Sequence, residues 1–107
     1  MNTAYFYLTD EGGKLAHKLA TAHPGDIYNK ENFKENLRAG FGKYDSLVCI
    51  MATGIVVRIL APLIVHKTSD PAVVVLDQKG KHAISLLSGH LGGANDCLLY
   101  TSPSPRD

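Results

Sequence analysis

The sequence predicts an α/β fold, a three-layer sandwich on a mostly parallel or mixed sheet of about five strands. Segments rich in aliphatic and β-branched residues alternate along the chain with amphipathic segments of helical period, and this order is typical of a parallel sheet covered by helices. The segment 46–52 is apolar at every position after Ser46, as expected of a strand buried on both faces. With 107 residues and 45% apolar residues, the chain suits one globular domain.

The first strand candidate, residues 3–8, is aromatic and aliphatic, a composition that favours a buried strand. Residues 9–13 predict a turn that leads into a helix, and Pro24 and Gly25 end that helix. Its apolar stripe consists of Leu15, Ala16, Leu19 and Ala20.

A short strand at 26–28 and a second helix are expected next. Asn32 and Glu35 have the spacing of a capping box, which predicts that the helix begins there. One face of this helix carries an apolar residue every fourth position, and Gly40 and Gly42 end it. The apolar residues are Phe33, Leu37 and Phe41.

The second half of the chain predicts a strand, a helix and a hairpin. The candidates are a strand at 46–52, a helix at 55–64, and strands 72–76 and 82–87 around a tight turn at 77–80. Pro62 is expected to shorten or kink the helix. The resulting element order is flavodoxin-like in style.

Charge and cysteine content exclude several classes of protein. Eleven Lys and Arg residues balance ten Asp and Glu residues, so the basic surface of a nucleic-acid binder is not expected. Arg58 interrupts the longest apolar stretch, 47–65, which argues against a membrane span. Cys49 and Cys97 do not have the spacing of zinc ligands, and Cys49 is expected to be a buried, reduced thiol.

The last eleven residues, 97–107, differ from the rest. Their sequence, CLLYTSPSPRD, resembles the translation of a sequencing adapter, and its prolines cannot continue a helix that begins near Ala94. We therefore predict an α/β domain over 1–96, incomplete at its carboxyl-terminal end, and a non-native tail over 97–107.

Residues 88–95 (SGHLGGAN) are the most unusual segment. Glycines allow backbone N–H groups to approach an anion closely, and a following helix N-terminus adds a positive dipole. The segment fits neither the Walker A pattern nor G-x-G-x-x-G, and a plain strand-to-helix turn is the alternative. His90 is a candidate general acid or base. Ser88 is a candidate nucleophile or helix cap.

Thr53 and Gly54 follow the central strand candidate, at the end of the sheet where open α/β folds bind ligands. Arg58 comes one turn later, and its guanidinium could hold a substrate carboxylate or form an ion pair. Whether these residues meet the glycine-rich segment depends on the helix between them. If that helix is a full crossover, the hairpin carries Ser88 to the opposite end of the sheet.

Three blocks of the sequence together resemble a known family. They are residues 51–62 (MATGIVVRILAP), 70–75 (DPAVVV) and 84–95 (ISLLSGHLGGAN). In order and spacing they are similar to the amino-terminal region of the CbiG family, the cobalt-precorrin-5A hydrolases of the anaerobic cobalamin pathway. The resemblance covers nearly all of residues 1–96, and the third block is its most specific part.

The resemblance implies a cytoplasmic enzyme that opens the δ-lactone on ring A of a cobalt-containing corrinoid and releases acetaldehyde. It implies that cobalt arrives inside the substrate, with no cofactor or metal site from the protein and no nucleic-acid or membrane partner. The remaining partner would be a carboxyl-terminal domain of the same protein, without which this segment is expected to be inactive. For that chemistry the candidate catalytic residues are His90 and Ser88, and the candidate substrate-binding residues are Thr53, Gly54, Arg58, Gly89, Gly92, Gly93 and Asn95.

Two alternatives remain open at this point. The chain could be a non-catalytic α/β module that holds an anionic small molecule or a partner domain through its glycine-rich segment. A flavodoxin-like regulatory domain is a weaker alternative, because the strand at 46–52 is followed by Thr53 where a phospho-acceptor Asp would be expected.

Overall fold

The computed structural model describes residues 2–64 and 70–87, which form one five-stranded sheet with helices on both faces. The elements are β1 (Thr3–Tyr7), α1 (Asp10–Ala22), β2 (Asp26–Tyr28), α2 (Phe33–Phe41), β3 (Ser46–Ile50), α3 (Thr53–Leu60), a 3-10 helix (Ala61–Leu63), β4 (Ala72–Leu76) and β5 (Ala83–Leu87). The predicted α/β class is confirmed. The predicted strand boundaries differ from these by at most two residues.

The strand order is β2-β1-β3-β4-β5, with four parallel strands and an antiparallel β5. The chain moves outward from β1 to β2 and in the opposite direction from β3 to β4. Right-handed crossovers therefore place α1 on one face and α2 and α3 on the other. This is the flavodoxin-like order, and it puts a topological switch point between β1 and β3.

Two apolar cores fill the spaces between the sheet and its helices. One lies under α2 and α3 and includes Phe6, Leu37 and Leu47, and the other lies under α1 and includes Tyr5 and Leu19. Every residue of β3 and β4 is buried, because successive side chains point into the two cores in turn. This explains why both strands are apolar in sequence at nearly every position.

The first helix begins earlier than the sequence predicted. Residues 9–13 were expected to form a turn, but α1 already begins at Asp10, and the Thr9 hydroxyl accepts a hydrogen bond from the Gly12 N–H (3.0 Å). Gly12 and Gly13 are buried inside the helix. A Cβ on Gly13 would lie 2.8 Å from the Tyr7 ring, so glycine allows α1 to pack closely on the end of β1.

The capping box predicted for α2 is absent. Asn32 has a left-handed backbone (φ 53°) and makes no side-chain capping hydrogen bond, so Glu35 has no reciprocal partner at the cap. The predicted apolar face is confirmed, since Leu37 and Phe41 are buried and Phe33 packs against the same core. Gly40 was expected to end the helix, but it lies inside α2 against Phe6 and Tyr44, and Gly42 is the C-cap.

The third helix is a full crossover. α3 spans Thr53–Leu60, whereas the sequence predicted 55–64, and the 3-10 helix that contains Pro62 replaces its last turn. The effect predicted for Pro62 is confirmed. Because β4 pairs parallel to β3, the hairpin to β5 returns the chain toward the amino-terminal edge of the sheet.

Candidate functional site

The carboxyl ends of β1, β3 and β4 meet at one edge of the sheet and surround a shallow cleft of about 290 Å³. This cleft lies at the switch point, where open α/β sheets bind ligands. Its lining residues are Leu8, Thr9, Ile50, Met51, Ala52, Asp77 and Gln78.

Polar side chains in this cleft hold its loops together. The Thr9 hydroxyl donates to Gln78 Oε1 (2.9 Å) while it accepts from the Gly12 amide. Asp77 Oδ1 accepts hydrogen bonds from the backbone N–H groups of Lys81 (2.8 Å) and His82 (3.4 Å). These contacts fix the start of α1 against the β4–β5 turn, so the cleft is a preformed part of the fold.

Helix α3 begins with Thr53 beside this edge of the sheet. The sequence predicted that Thr53 and Gly54 would lie at this edge. Gly54 is exposed, and a Cβ built on it would have no neighbour within 4 Å. Packing within the described chain therefore does not require glycine at this position. The N-terminal N–H groups of α3 supply a partial positive charge here.

Arg58 lies on the same exposed side of α3 as Gly54, one turn further along, but it belongs to a second cleft. That cleft, of about 230 Å³, is formed by α2 and α3 and is lined by Lys34, Arg38, Ile55, Arg58 and Ile59. Sequence reasoning named Arg58 alone. Lys34 and Arg38 were missed, although their spacing of four residues on a helix is a readable signal that they share a face.

The described residues do not place the glycine-rich segment, residues 88–95, in either cleft. Leu87, at the end of β5, lies opposite Val73 near the amino end of β4, whereas Thr53 follows the carboxyl end of β3. The chain therefore leaves β3 and β5 at opposite edges of the sheet. Ser88, Gly89, His90, Gly92, Gly93 and Asn95 lie outside the described residues, and their roles remain predictions.

A hydrogen-bonded cluster at the amino-terminal edge was not anticipated from the sequence. The Tyr44 hydroxyl donates to the Asp26 carboxylate (2.5 Å), and the Tyr28 and Tyr44 hydroxyls are 2.6 Å apart. Burial, together with the hydrogen bonds to Asp26 and Tyr28, raises the pKa of Tyr44 well above its ordinary value. The cluster ties β2 to the chain before β3, which is a structural role.

Cys49 is fully buried in β3, as the sequence predicted. Burial raises the pKa of its thiol from 9.0 to about 12. Because the thiolate is the reactive form of cysteine, this thiol is unsuited to nucleophilic chemistry.

The Cys49 thiol should make the stability of the domain fall with rising pH. The folded state keeps the thiol protonated, while the unfolded chain releases the proton above pH 9, so unfolding is increasingly favoured. Between pH 8 and 10 this single group should remove on the order of 1 kcal/mol of unfolding free energy. Urea denaturation of the wild type and of Cys49→Ala should show a steeper pH dependence in the wild type. Parallel pH curves for the two proteins would contradict the assignment.

Within residues 2–64 and 70–87, none of the helices has the length and hydropathy of a membrane span. The same residues contain no group of three or more His, Cys, Asp or Glu side chains arranged to hold a metal ion.

Comparison with known proteins identifies the family. The family described as Cobalamin synthesis G N-terminal matches residues 35–101, more than half of the chain. The chain belongs to this family. The resemblance that the three sequence blocks predicted is thus confirmed, whereas the proposed boundary between residues 96 and 97 stays a prediction.

Relatives of this Cobalamin synthesis G N-terminal domain include two curated proteins and one solved structure. Cobalt-precorrin-5A hydrolase of Salmonella typhimurium is 46% identical over 109 residues, covering 91% of this chain and 31% of that protein. The protein of the same name from Priestia megaterium is 54% identical over 56 residues, covering 52% of this chain and 15% of that protein. The crystal structure of a cobalamin biosynthesis protein G homologue from Sulfolobus solfataricus superposes with a TM-score of 0.74 at 25% identity, covering 94% of this chain and 33% of that one. The chain thus spans about a third or less of the length of these relatives.

Proposed function

We propose that this chain is the amino-terminal part of a cytoplasmic hydrolase that opens the ring-A lactone of cobalt-precorrin-5A and releases acetaldehyde to give cobalt-precorrin-5B. The observation that carries the proposal is the 46% identity, over 91% of the chain, to a protein named cobalt-precorrin-5A hydrolase. In this proposal cobalt enters as part of the substrate, and the protein contributes no cofactor or metal ion.

The reaction makes two demands on the protein. Water must first add to the lactone carbonyl, so that the acyl carbon–oxygen bond breaks and leaves a carboxylate and an alcohol. A base must then take the alcohol proton as the carbon–carbon bond breaks, while the bonding electron pair passes to the macrocycle, which takes up a proton. We assign to His90 the base of either step, the activation of water or the removal of the alcohol proton, and Ser88 is the second candidate catalytic residue. We assign the oxyanion contacts of the first step to backbone N–H groups of Gly89, Gly92 and Gly93.

The clefts at the carboxyl edge and between α2 and α3 favour a binding role for the described part of the chain. At about 290 and 230 Å³, each is smaller than the roughly 300–1,000 Å³ of a pocket that encloses a small ligand. A macrocycle would therefore be enclosed jointly with the carboxyl-terminal part of the full-length protein. Thr53, Gly54 and Arg58 would then contact substrate, and Asn95 would do so from the glycine-rich segment.

A non-catalytic binding module is the second candidate, and one observation favours it. Among the described residues, only cationic and aliphatic side chains line the cleft between α2 and α3, and these can bind an anion but offer no base at neutral pH. In that case the catalytic groups would lie outside this domain, and His90 would be dispensable.

Substitution of His90 in the full-length protein separates the two candidates. His90→Ala should slow acetaldehyde release by about 10²-fold or more if the imidazole is a general acid or base, with substrate affinity little changed. Arg58→Ala should instead raise KM, since the loss of an ion contact to the substrate weakens binding. Acetaldehyde can be followed with a coupled alcohol dehydrogenase assay. Unchanged turnover in His90→Ala would remove this residue from the mechanism, and no acetaldehyde from the wild-type protein would refute the proposed function.

A further inference from the structure

Three cations converge on the cleft between α2 and α3. Lys34 and Arg38 are exposed side chains four residues apart on α2, and Arg58 reaches the same cleft from α3. Ile55 and Ile59 provide an apolar floor, of which Ile59 is buried and Ile55 half-buried. The cleft therefore has an apolar floor and a positively charged rim.

The positive charge of this cleft is not balanced by the residues that line it. α3 contains no acidic residue, and Glu35, the single acid of α2, does not line the cleft. Lys34 and Arg38, four residues apart on α2, repel each other weakly, and a bound anion would relieve that repulsion.

We infer that this cleft binds one edge of a flat, apolar polycarboxylate, with the ligand's carboxylates on Lys34, Arg38 and Arg58 and its apolar rim on Ile55 and Ile59. This inference deepens the proposed function and rests on it for the choice of ligand class. A cleft of about 230 Å³ is too small to enclose a macrocycle, but it can hold one edge and its side arms. The guanidinium groups of Arg38 and Arg58 can each bind a carboxylate through paired hydrogen bonds, while the Lys34 ammonium acts as a point charge.

A ligand with several carboxylates on an apolar frame fits better than a single small anion. Exposed ion pairs individually contribute little free energy in water, so one carboxylate would be held weakly. Contact of the frame with the isoleucine floor adds burial of apolar surface, which is not screened by salt. An acidic protein segment would also satisfy the charges, and the experiment below separates the two.

The test uses the chain of 107 residues and the corrin polycarboxylate cobyrinic acid as the probe. Binding is measured by equilibrium dialysis, read from the corrin absorbance, at low and high NaCl. Cobyrinic acid should bind to the chain, and a higher NaCl concentration should weaken this binding. Its fully methyl-esterified form has the same macrocycle without the negative charges, and it should bind at least about tenfold more weakly.

Substitutions test whether cobyrinic acid binds in this cleft. Arg58→Glu should weaken cobyrinic acid binding about tenfold or more, because the charge reversal adds repulsion to the lost contact. The triple variant Lys34→Gln, Arg38→Gln, Arg58→Gln should abolish measurable binding. The matched control is Lys14→Gln, Lys18→Gln, Lys30→Gln, which removes the same charge from exposed positions that line neither cleft and should leave affinity within about twofold. Thermal midpoints should agree between the two triple variants, since all six side chains are exposed.

Five results would overturn the inference. These are no binding of cobyrinic acid, equal binding of its ester, normal binding by the cleft variants, an equal loss in both triple variants, and tighter binding of a polyglutamate peptide than of cobyrinic acid. The last would make the cleft a docking surface for an acidic protein segment. The proposed function is judged separately by acetaldehyde release from the full-length protein. If acetaldehyde is released but the cleft variants bind cobyrinic acid normally, this inference fails and the proposed function stands.

Discussion

Replacing Phe6 with alanine should lower the free energy of unfolding by about 3–5 kcal/mol, the usual cost of removing a buried aromatic ring. Phe6 is completely buried in the core under α2 and α3. Its ring stacks on Tyr28, with centroids 5.0 Å apart and planes 9° apart, and it lies against Gly40 of α2. Truncation to alanine leaves a cavity between the Tyr28 ring and Gly40, which adds to the cost of losing the buried ring.

Urea denaturation followed by circular dichroism measures this loss, and the thermal midpoint should fall by about 12 °C or more. Ile84→Ala is the matched control, because the Ile84 side chain on β5 is 49% exposed. Its effect should stay within about 0.5 kcal/mol, as is usual for surface positions. A Phe6→Ala loss below about 1 kcal/mol would show that the core can close over the missing ring.

Gly25→Ala should cost about 3 kcal/mol, at the upper end of what overpacking costs. A Cβ at this position would lie 2.4 Å from the Thr3 carbonyl oxygen and 3.1 Å from the Tyr5 ring. The first contact is with backbone, which cannot rotate away as a side chain can. Relief therefore requires β2 to separate from the start of β1, where Asp26 pairs with Ala4.

Gly42→Ala is the control for this substitution. Gly42 ends α2 with a negative φ of −97°, and a Cβ there would have no neighbour within 4 Å. Its unfolding free energy should stay within about 0.5 kcal/mol of the wild type. If the two glycine variants are equally stable, β2 is not held against β1 as closely as the structure indicates.

The strands of the sheet could be predicted from the sequence because their composition distinguishes them from the helices and turns. β3 and β4 face two cores, so nearly every residue must be apolar, and such runs are easy to recognise. The strand order β2-β1-β3-β4-β5 was not predicted, because the alternation of strands and helices with right-handed crossovers is compatible with several orders. The effect of Pro62 was also predictable, since proline cannot continue a helix.

The errors arose where tertiary packing outweighs local preference. Gly12 and Gly13 disfavour a helix by propensity, but they lie inside α1 because Tyr7 and Ile50 occupy the space that larger side chains would need. Asn32 and Glu35 match a capping pattern, yet the left-handed backbone of Asn32 directs the chain into α2 by another route. Neither outcome can be derived from a window of neighbouring residues.

The candidate site was predictable only in part. Arg58 was found because it follows the central strand in the sequence, whereas Lys34 and Arg38 come from a different helix, and only the packing of α2 beside α3 brings them into the same cleft. The separation of Thr53 from the end of β5 depends on α3 being a full crossover. Sequence alone left that choice open, because a helix shortened by proline can either cross the sheet or turn back.

The two edges of the sheet differ in how readily they can accept another strand. β2 is three residues long and begins with the charged Asp26, and short, charged edges resist pairing with other chains. β5 is longer, none of its residues is fully buried, and within the described residues its outer side pairs with no strand. Within residues 2–64 and 70–87, β5 is therefore the edge at which a further strand could extend the sheet, whereas β2 is the edge that resists such an addition.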